Sequence, residues 1–270
     1  MGVFDSGVGG LSVLAAMRHE LPHEHFVYVA DSGCAPYGER PAAFVIGRAT
    51  TITDFLARQG AKAIVVACNT ATAAAVASLR SRFTLPIVAI EPAVKPAAVR
   101  TRSRVVGVLT TTGTASSPNM NKLVTNYGSD VEFVIQPCPG LAECVERGQL
   151  ASAATRTLVK RYVQPIVDKG ADVLVLGCTH YPFLRPLIEE IAGPGIEIID
   201  PATAVARELR RRLDSADLLN TSSVSGTEQF WTTGMVNEVE PVVRLYWRKD
   251  AAVLPLERTA EKWLREPFSS

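Results

Sequence analysis

A chain of 270 residues, 47% hydrophobic and 20% charged, is long enough to bury a core, as one large domain or two smaller ones. The formal net charge of +1 argues against a nucleic-acid partner or a membrane surface held by bulk electrostatics. The sequence carries no apolar run near the roughly 20 residues of a membrane-spanning helix, no signal-type start and an odd number of cysteines. We therefore expect a cytoplasmic protein with free thiols, and no N-terminal extension that could serve regulation.

Short apolar runs alternate with longer amphipathic segments along the first part of the chain. Strands are predicted at residues 2–4, 25–30, 63–67 and 86–90. The helices predicted between them cover residues 9–21, 40–60 and 72–83. Strands that alternate with helices indicate parallel βαβ units, in which helices cover both faces of the sheet.

The alternation then restarts. A strand leading into a helix is predicted at 104–114, followed by strands at 131–136, 173–177 and 196–200 and helices at 154–170 and 182–193. Three segment pairs match in order: Gly2-Val3 with Gly107-Val108, 60–70 with 170–180, and 90–93 with 199–202, at offsets of 105, 110 and 109. After about Ala206, a helix, a strand near 228–234 and a helix at 236–247 are predicted to pack on the first half.

We interpret these matches as a diverged internal repeat. The predicted fold is α/β, with two doubly wound parallel-sheet domains. The first domain comprises residues 1–92 plus 206–270, and the second comprises residues 93–205.

Two cysteines occupy matching places in the repeat. Cys68 and Cys178 each end a predicted strand and open the following helix. In parallel sheets, ligands bind beyond the carboxyl ends of the strands, and a helix N-terminus lowers a thiol's pKa and binds carboxylates. Two thiols facing across a cleft can remove a proton from one face of a carbon and return one to the other. This arrangement predicts racemisation or epimerisation of a small acid, with no metal and no cofactor.

Five segments resemble the glutamate racemases, in the order found in that family: 2–13, 28–40, 67–73, 138–148 and 175–184. The resemblance implies interconversion of L- and D-glutamate without a cofactor, which supplies D-glutamate for peptidoglycan. It also implies two α/β domains related by a pseudo-twofold axis, an active site in the cleft between them, and frequent assembly as homodimers. Cys68 and Cys178 match the two catalytic cysteines, and the resemblance assigns the proton of the D-isomer to Cys68 and that of the L-isomer to Cys178.

Further catalytic candidates lie near the two thiols. Asp5 could orient the Cys68 thiol, although a turn aspartate fits the sequence equally well. His180 could serve Cys178 in the same way; a Cys-x-His pair is also half of a metal site, but no second ligand pair follows. Glu146 matches a family glutamate on the histidine side, whereas spacing alone indicates a solvated helix residue. The expected substrate-binding residues are Asp5, Ser6, Tyr37, Gly38, Asn69, Thr70, Thr179 and His180.

Other residues mark weaker candidates or departures from the family pattern. Asp31 is a further site candidate, and Gly9-Gly10 would let the backbone approach other groups closely. Cys34 replaces a small or amide residue near the Tyr37-Gly38 turn, and Met120 replaces a common tyrosine, which predicts a packing change. Cys138 and Cys144 are expected to be structural or without a role.

Three alternatives remain open on the sequence alone. One is an aspartate racemase or related epimerase, although those usually carry glutamate in place of His180. Another is an amino-acid-binding protein without activity, which the mirrored cysteines and the absence of a signal peptide disfavour. A third is an enzyme dependent on pyridoxal phosphate, but no lysine follows a recognisable motif for that cofactor.

Overall fold

The computed structural model describes residues 1–257, which form parallel sheets with helices packed between and around them. The strands are β1 (Gly2–Asp5), β2 (Phe26–Ala30), β3 (Ile64–Val66), β4 (Ile87–Ala89), β5 (Val105–Thr110), β6 (Glu132–Pro137), β7 (Val173–Gly177), β8 (Glu197–Ile199), β9 (Glu228–Thr232) and β10 (Val253–Pro255). The helices are α1 (Leu11–Glu20), α2 (Ala42–Arg58), α3 (Asn69–Arg82), α4 (Val94–Arg100), α5 (Thr112–Ala115), α6 (Pro118–Tyr127), α7 (Leu141–Glu146), α8 (Ala153–Asp168), α9 (Arg185–Ala192), α10 (Ala202–Ser215) and α11 (Val236–Tyr246).

Within these residues the strands form two separate sheets. The first has the order β10-β9-β2-β1-β3-β4 and the second the order β6-β5-β7-β8, and every neighbouring pair is parallel. If β9 and β10 are set aside, both sheets place their strands in the order second, first, third, fourth. The predicted α/β fold of two parallel sheets is confirmed, and the repeat is visible in this shared strand order.

The central strands are buried because helices cover both faces of each sheet. All residues of β1, β3 and β7 are buried, and β3 and most of β7 are continuous aliphatic runs, as expected for parallel strands with no solvent-facing side. One cluster of buried side chains runs through both halves, from Val3 and Leu14 to Leu176 and Leu209. Helix α1 packs against α10, the helix that follows β8.

The tail after β8 returns to the first half, as predicted. Strand β9 pairs with β2 and extends the first sheet, and β10 adds a further edge strand that was not among the predicted strands. The division into residues 1–92 plus 206–270 and residues 93–205 stays a prediction; its second boundary falls inside α10, and residues 258–270 lie outside the described part.

One predicted helix begins later than expected. The segment 182–193 starts as a 3₁₀ turn at Tyr181–Leu184 and becomes helical only with α9. Pro182 and Pro186 lack backbone N–H groups, which disfavours a regular helix before that point. Cys178 therefore does not open an α-helix, whereas Cys68 is the N-cap residue of α3. No helix in residues 1–257 is long and apolar enough to cross a membrane.

Two glycine substitutions should change stability in opposite directions. Gly47 lies in the interior of α2 with open space where a Cβ would stand, so Gly47→Ala should raise the free energy of unfolding by about 0.5–1 kcal/mol. Gly107 lies in β5, where a Cβ would overlap the side chains of Ile166 and Leu174, so Gly107→Ala should lower it by about 1–3 kcal/mol. Urea denaturation followed by circular dichroism measures both; equal effects of the two variants would contradict this packing.

Candidate active site

A narrow cavity lies where the carboxyl ends of the two sheets meet. Its lining contains both predicted cysteines, one from each half, and its volume is about 10 Å³. That is roughly the space for one water molecule, so an amino acid can enter only if the walls separate. The lining residues are Ser6, Pro36, Tyr37, Gly38, Cys68, Asn69, Thr70, Thr111, Ala142, Cys178, Thr179 and His180.

The thiol of Cys68 is held between a helix N-terminus and a short polar chain. Its Sγ accepts a hydrogen bond from Ala71 N at 3.4 Å, as an N-cap residue does, and lies 3.8 Å from Ser6 Oγ. Ser6 Oγ in turn donates to Asp5 Oδ1 at 2.9 Å. Asp5 also accepts a bond from Gly7 N at 3.3 Å, so it is a turn aspartate as well as a partner of the Cys68 side.

The thiol of Cys178 has a different partner chain. Its Sγ lies 3.6 Å from His180 Nδ1, and His180 Nε2 lies 2.6 Å from Glu146 Oε1. Glu146 is the last residue of α7, and its side chain is only 17% exposed. The expectation of a solvated helix glutamate, drawn from spacing alone, is therefore wrong, because tertiary contacts bury this carboxylate beside a histidine.

Several hydrogen bonds cross from one half to the other at this site. Thr179 Oγ1 donates to Asp5 Oδ2 at 2.6 Å, and Val8 N donates to Glu146 Oε1 at 2.6 Å. The approach is close enough to require glycine, since a Cβ at Gly7 would overlap the Glu146 carboxylate and one at Gly9 would overlap the His180 ring. The glycine-rich segment after β1 thus lets the first half contact the acid/base groups of the second.

The pKa of the Cys68 thiol differs from the value expected from the sequence. Burial raises the pKa of the Cys68 thiol, the charge of Asp5 raises it further, and the Ala71 N–H only partly opposes both. The helix N-terminus lowers this pKa as predicted, through the Ala71 N–H, but desolvation outweighs that single donor and the pKa is raised overall. At His180, burial lowers the pKa, but bonds to Cys178 and Glu146 outweigh burial and raise it well above 6.5. The histidine is therefore an imidazolium near neutral pH.

Hydroxyl and amide groups surround the space between the two thiols. Thr70 Oγ1 lies 2.9 Å from Thr111 Oγ1 across the two halves. Both polar atoms of the Asn69 side chain are buried without a partner in the described residues, which leaves them free for a ligand. Thr111 is not among the predicted site residues, although the repeat offset of 105 makes it the counterpart of Ser6.

The remaining candidates lie outside the lining. Asp31 is buried behind Tyr37 and bonds its hydroxyl group. Cys34 packs against the core of the first half, and Met120 is buried in a core of the second half. Cys138 lies in the shared core and Cys144 is half-buried on α7. In residues 1–257, no group of three or more His, Cys, Asp or Glu side chains is arranged to hold a metal ion.

Comparison with known proteins agrees with this geometry. The sequence model of the Asp/Glu/Hydantoin racemase family matches residues 11–209. The chain belongs to this family. It is 51% identical to a glutamate racemase from Methylococcus capsulatus, over 95% of this chain and 94% of that protein. It is 50% identical to one from Pseudomonas aeruginosa, over 94% of this chain and 96% of that protein.

Solved structures show the same fold. A glutamate racemase from Bacillus anthracis superimposes with a TM-score of 0.85 at 32% identity, covering 95% of this chain and 97% of that one. A glutamate racemase from Francisella tularensis, solved with D-glutamate, gives a TM-score of 0.82 at 27% identity and covers 97% of each chain. The predicted resemblance is confirmed, and the protein is an enzyme of the racemase class, an isomerase.

The raised pKa of His180 predicts how stability depends on pH. The folded protein holds this proton more tightly than the unfolded chain, whose histidine titrates near 6.5. The resulting stabilisation is complete below about pH 6.5 and is lost as the pH rises through the folded-state pKa. Glu146→Gln removes one cause of the shift. The stability advantage of the parent over this variant should therefore shrink as the pH rises from the folded-state pKa of the variant to that of the parent, by up to about 1.4 kcal/mol per pH unit.

Urea denaturation at pH 6, 7 and 8 measures this difference. The buried amino group of Met1, whose pKa is lowered to about 6, gives stability the opposite slope in this range. That slope is common to parent and variant and cancels in the difference. Glu143→Gln, on the same helix and without a hydrogen bond to His180, is the matched control and should leave the difference constant. A constant difference for Glu146→Gln would show that the carboxylate does not hold the histidine proton.

Proposed function

We propose that the protein interconverts L- and D-glutamate without a cofactor, using Cys68 and Cys178 as two bases on opposite faces of the α-carbon. One observation carries the proposal: two thiols from corresponding strand ends of the repeat line one small cavity. The names of the relatives support glutamate as the substrate. Two related enzymes were solved with this amino acid, the Francisella tularensis protein with D-glutamate and the Escherichia coli protein with L-glutamate.

The proposed reaction removes one proton from the α-carbon and then adds one proton to its opposite face. A thiolate on one face takes the α-proton, so that a C–H bond breaks and an S–H bond forms. The thiol on the other face then gives its proton to the carbanion, and a new C–H bond forms as that S–H bond breaks. The resemblance to the family assigns the D-isomer's proton to Cys68 and the L-isomer's proton to Cys178. No electron acceptor is needed, because the substrate and product differ only in configuration.

In this proposal, each thiol is assisted by its own pair of polar side chains. On the Cys178 side, the His180 imidazolium points Nδ1 at Sγ and is backed by Glu146. A neighbouring cation stabilises a thiolate by Coulomb attraction. On the Cys68 side, Ser6 and Asp5 form a relay that lies next to Sγ. Asp5 is held in place by Thr179 of the opposite half.

The proposed substrate contacts use the polar groups that remain. The unpartnered amide of Asn69 can bind a carboxylate or the amino group, and a bound ligand would relieve its buried, unsatisfied state. The Tyr37-Gly38 turn forms a wall of the same cavity. The full proposed substrate-binding set is Asp5, Ser6, Tyr37, Gly38, Asn69, Thr70, Thr179 and His180.

The wider role is also a proposal. Family resemblance supports a supply of D-glutamate for peptidoglycan synthesis and assembly as a homodimer. The composition and the predicted free thiols support a cytoplasmic location.

Proton NMR of L-glutamate in D₂O with the purified protein tests the reaction directly. Loss of the α-proton signal, together with D-glutamate in a chiral separation, is the expected result. Cys68→Ser and Cys178→Ser should each slow racemisation by about 10²–10⁴-fold, because each removes one acid/base group. Cys144→Ser, whose thiol lies outside the cavity lining, is the matched control and should keep full activity. Absence of α-proton exchange in the folded, reduced parent protein would reject glutamate as the substrate.

A further inference from the structure

A fully buried carboxylate lies directly behind the cavity wall. Asp31 follows β2, and its side chain is inaccessible to solvent. Its Oδ2 accepts hydrogen bonds from the Tyr37 hydroxyl at 2.5 Å and from Arg48 Nε at 2.9 Å. Its Oδ1 accepts from Arg48 Nη2 at 2.8 Å and from the Thr233 hydroxyl at 2.6 Å. Four donors thus converge on one carboxylate, which is the number of hydrogen bonds an ionised carboxylate can accept.

The donors come from three separate parts of the chain. Tyr37 belongs to the turn after β2, Arg48 to α2, and Thr233 to the segment after β9. Burial lowers the pKa of Arg48, but hydrogen bonds to Asp31 and the charge of that carboxylate outweigh burial and raise it. Arg48 therefore keeps its positive charge beside Asp31, with its side chain 12% exposed. Thr233 Oγ1 also accepts a bond from Gly33 N at 3.2 Å, which ties the start of the turn to the same cluster.

The Tyr37-Gly38 turn, which this cluster holds, packs so closely against the second half that no further side-chain atom fits between them. A Cβ at Gly38 would stand 2.8 Å from the side chain of Thr111, and one at Gly113 would stand 2.9 Å from Gly38 O. Tyr37 and Gly38 line the cavity between the two thiols. A small displacement of the turn therefore either opens this wall or collides with the second half. The hydroxyl of Tyr37, bonded to Asp31, fixes which position the turn takes.

We infer that Asp31 is a positioning residue: through the Tyr37 hydroxyl it holds the Tyr37-Gly38 turn where it closes the substrate cavity. This inference rests on the proposed function for its kinetic consequence, since the turn then contacts glutamate. Asp31 itself is not a lining residue and acts through Tyr37. Arg48 and Thr233 hold the carboxylate at the correct distance from the first half.

The chain offers a matched control at the other end of the same strand. Glu24 precedes β2 and is also a buried carboxylate of the first half. It accepts hydrogen bonds from Lys62 Nζ at 2.9 Å and from Asn220 N at 2.8 Å. Because none of these groups lines the cavity, Glu24→Gln removes a comparable buried charge without touching the turn.

The kinetic experiment compares Asp31→Asn, Tyr37→Phe, the double variant and Glu24→Gln with the parent. Asp31→Asn should raise KM for glutamate about tenfold, the scale expected for a lost charge-assisted hydrogen bond, while kcat changes less. Tyr37→Phe should shift KM in the same direction, and the double variant should be no worse than Asp31→Asn alone. Glu24→Gln should lose stability but keep KM. Additive effects of the two site substitutions, or an unchanged KM in Asp31→Asn, would overturn the inference.

A second measurement does not depend on the substrate. Hydrogen–deuterium exchange by mass spectrometry should show faster exchange of peptides covering residues 33–40 in Asp31→Asn and Tyr37→Phe, but not in Glu24→Gln. Unchanged exchange in this segment would reject the positioning role whether or not glutamate is turned over. An inactive parent with faster exchange in both variants would reject glutamate as the substrate and leave the positioning role standing. Tyr37→Phe keeps the Asp31–Arg48 pair, so it serves if Asp31→Asn fails to fold.

Discussion

Two carboxylates, the buried Asp5 and the half-buried Glu146, join the halves of the molecule at the cavity. Asp5 of the first half accepts a hydrogen bond from Thr179 of the second, and Glu146 of the second half accepts one from Val8 N of the first. A carboxylate removed from water needs several donors, and neither half supplies enough of them alone. The hydrogen bonds that satisfy these groups therefore also fix how the two sheets face each other.

The strand pattern and the two cysteines could be predicted because they depend on local periodicity and a general property of parallel sheets. Carboxyl ends of parallel strands lie on one edge, so residues that end repeated strands gather there. The burial of Glu146 could not be predicted in this way. Its helix has six residues, too few for a periodic pattern, and its partners His180 and Val8 lie 34 and 138 residues away in sequence. Only the family resemblance indicated its place.

The pKa of the Cys68 thiol cannot be predicted from the local sequence alone. A cysteine at a helix N-terminus is expected to ionise readily, because unpaired N–H groups stabilise the thiolate. That expectation omits desolvation, which depends on the surrounding chain and not on the motif. Here the buried setting and the charge of Asp5 both favour the neutral thiol. The sequence identifies which atom can carry a proton, whereas the tertiary environment decides whether it carries one at rest.

The repeat places both thiols after corresponding strands but gives them unlike partners. Cys68 faces Ser6 and the Asp5 carboxylate, whereas Cys178 faces the His180 imidazolium. In a two-base racemisation one thiol must be neutral while the other is ionised, and two identical sites would not favour either arrangement. Burial and the charge of Asp5 raise the pKa of the Cys68 thiol and so favour its neutral form, whereas the Cys178 thiol has a histidine as its neighbour. Because L- and D-enantiomers have equal free energies in water, this asymmetry cannot shift the equilibrium. The asymmetry affects only which enantiomer binds to an enzyme that is already in the required protonation state. The two halves of the repeat can therefore carry different polar residues beside their thiols and still be compatible with the reaction.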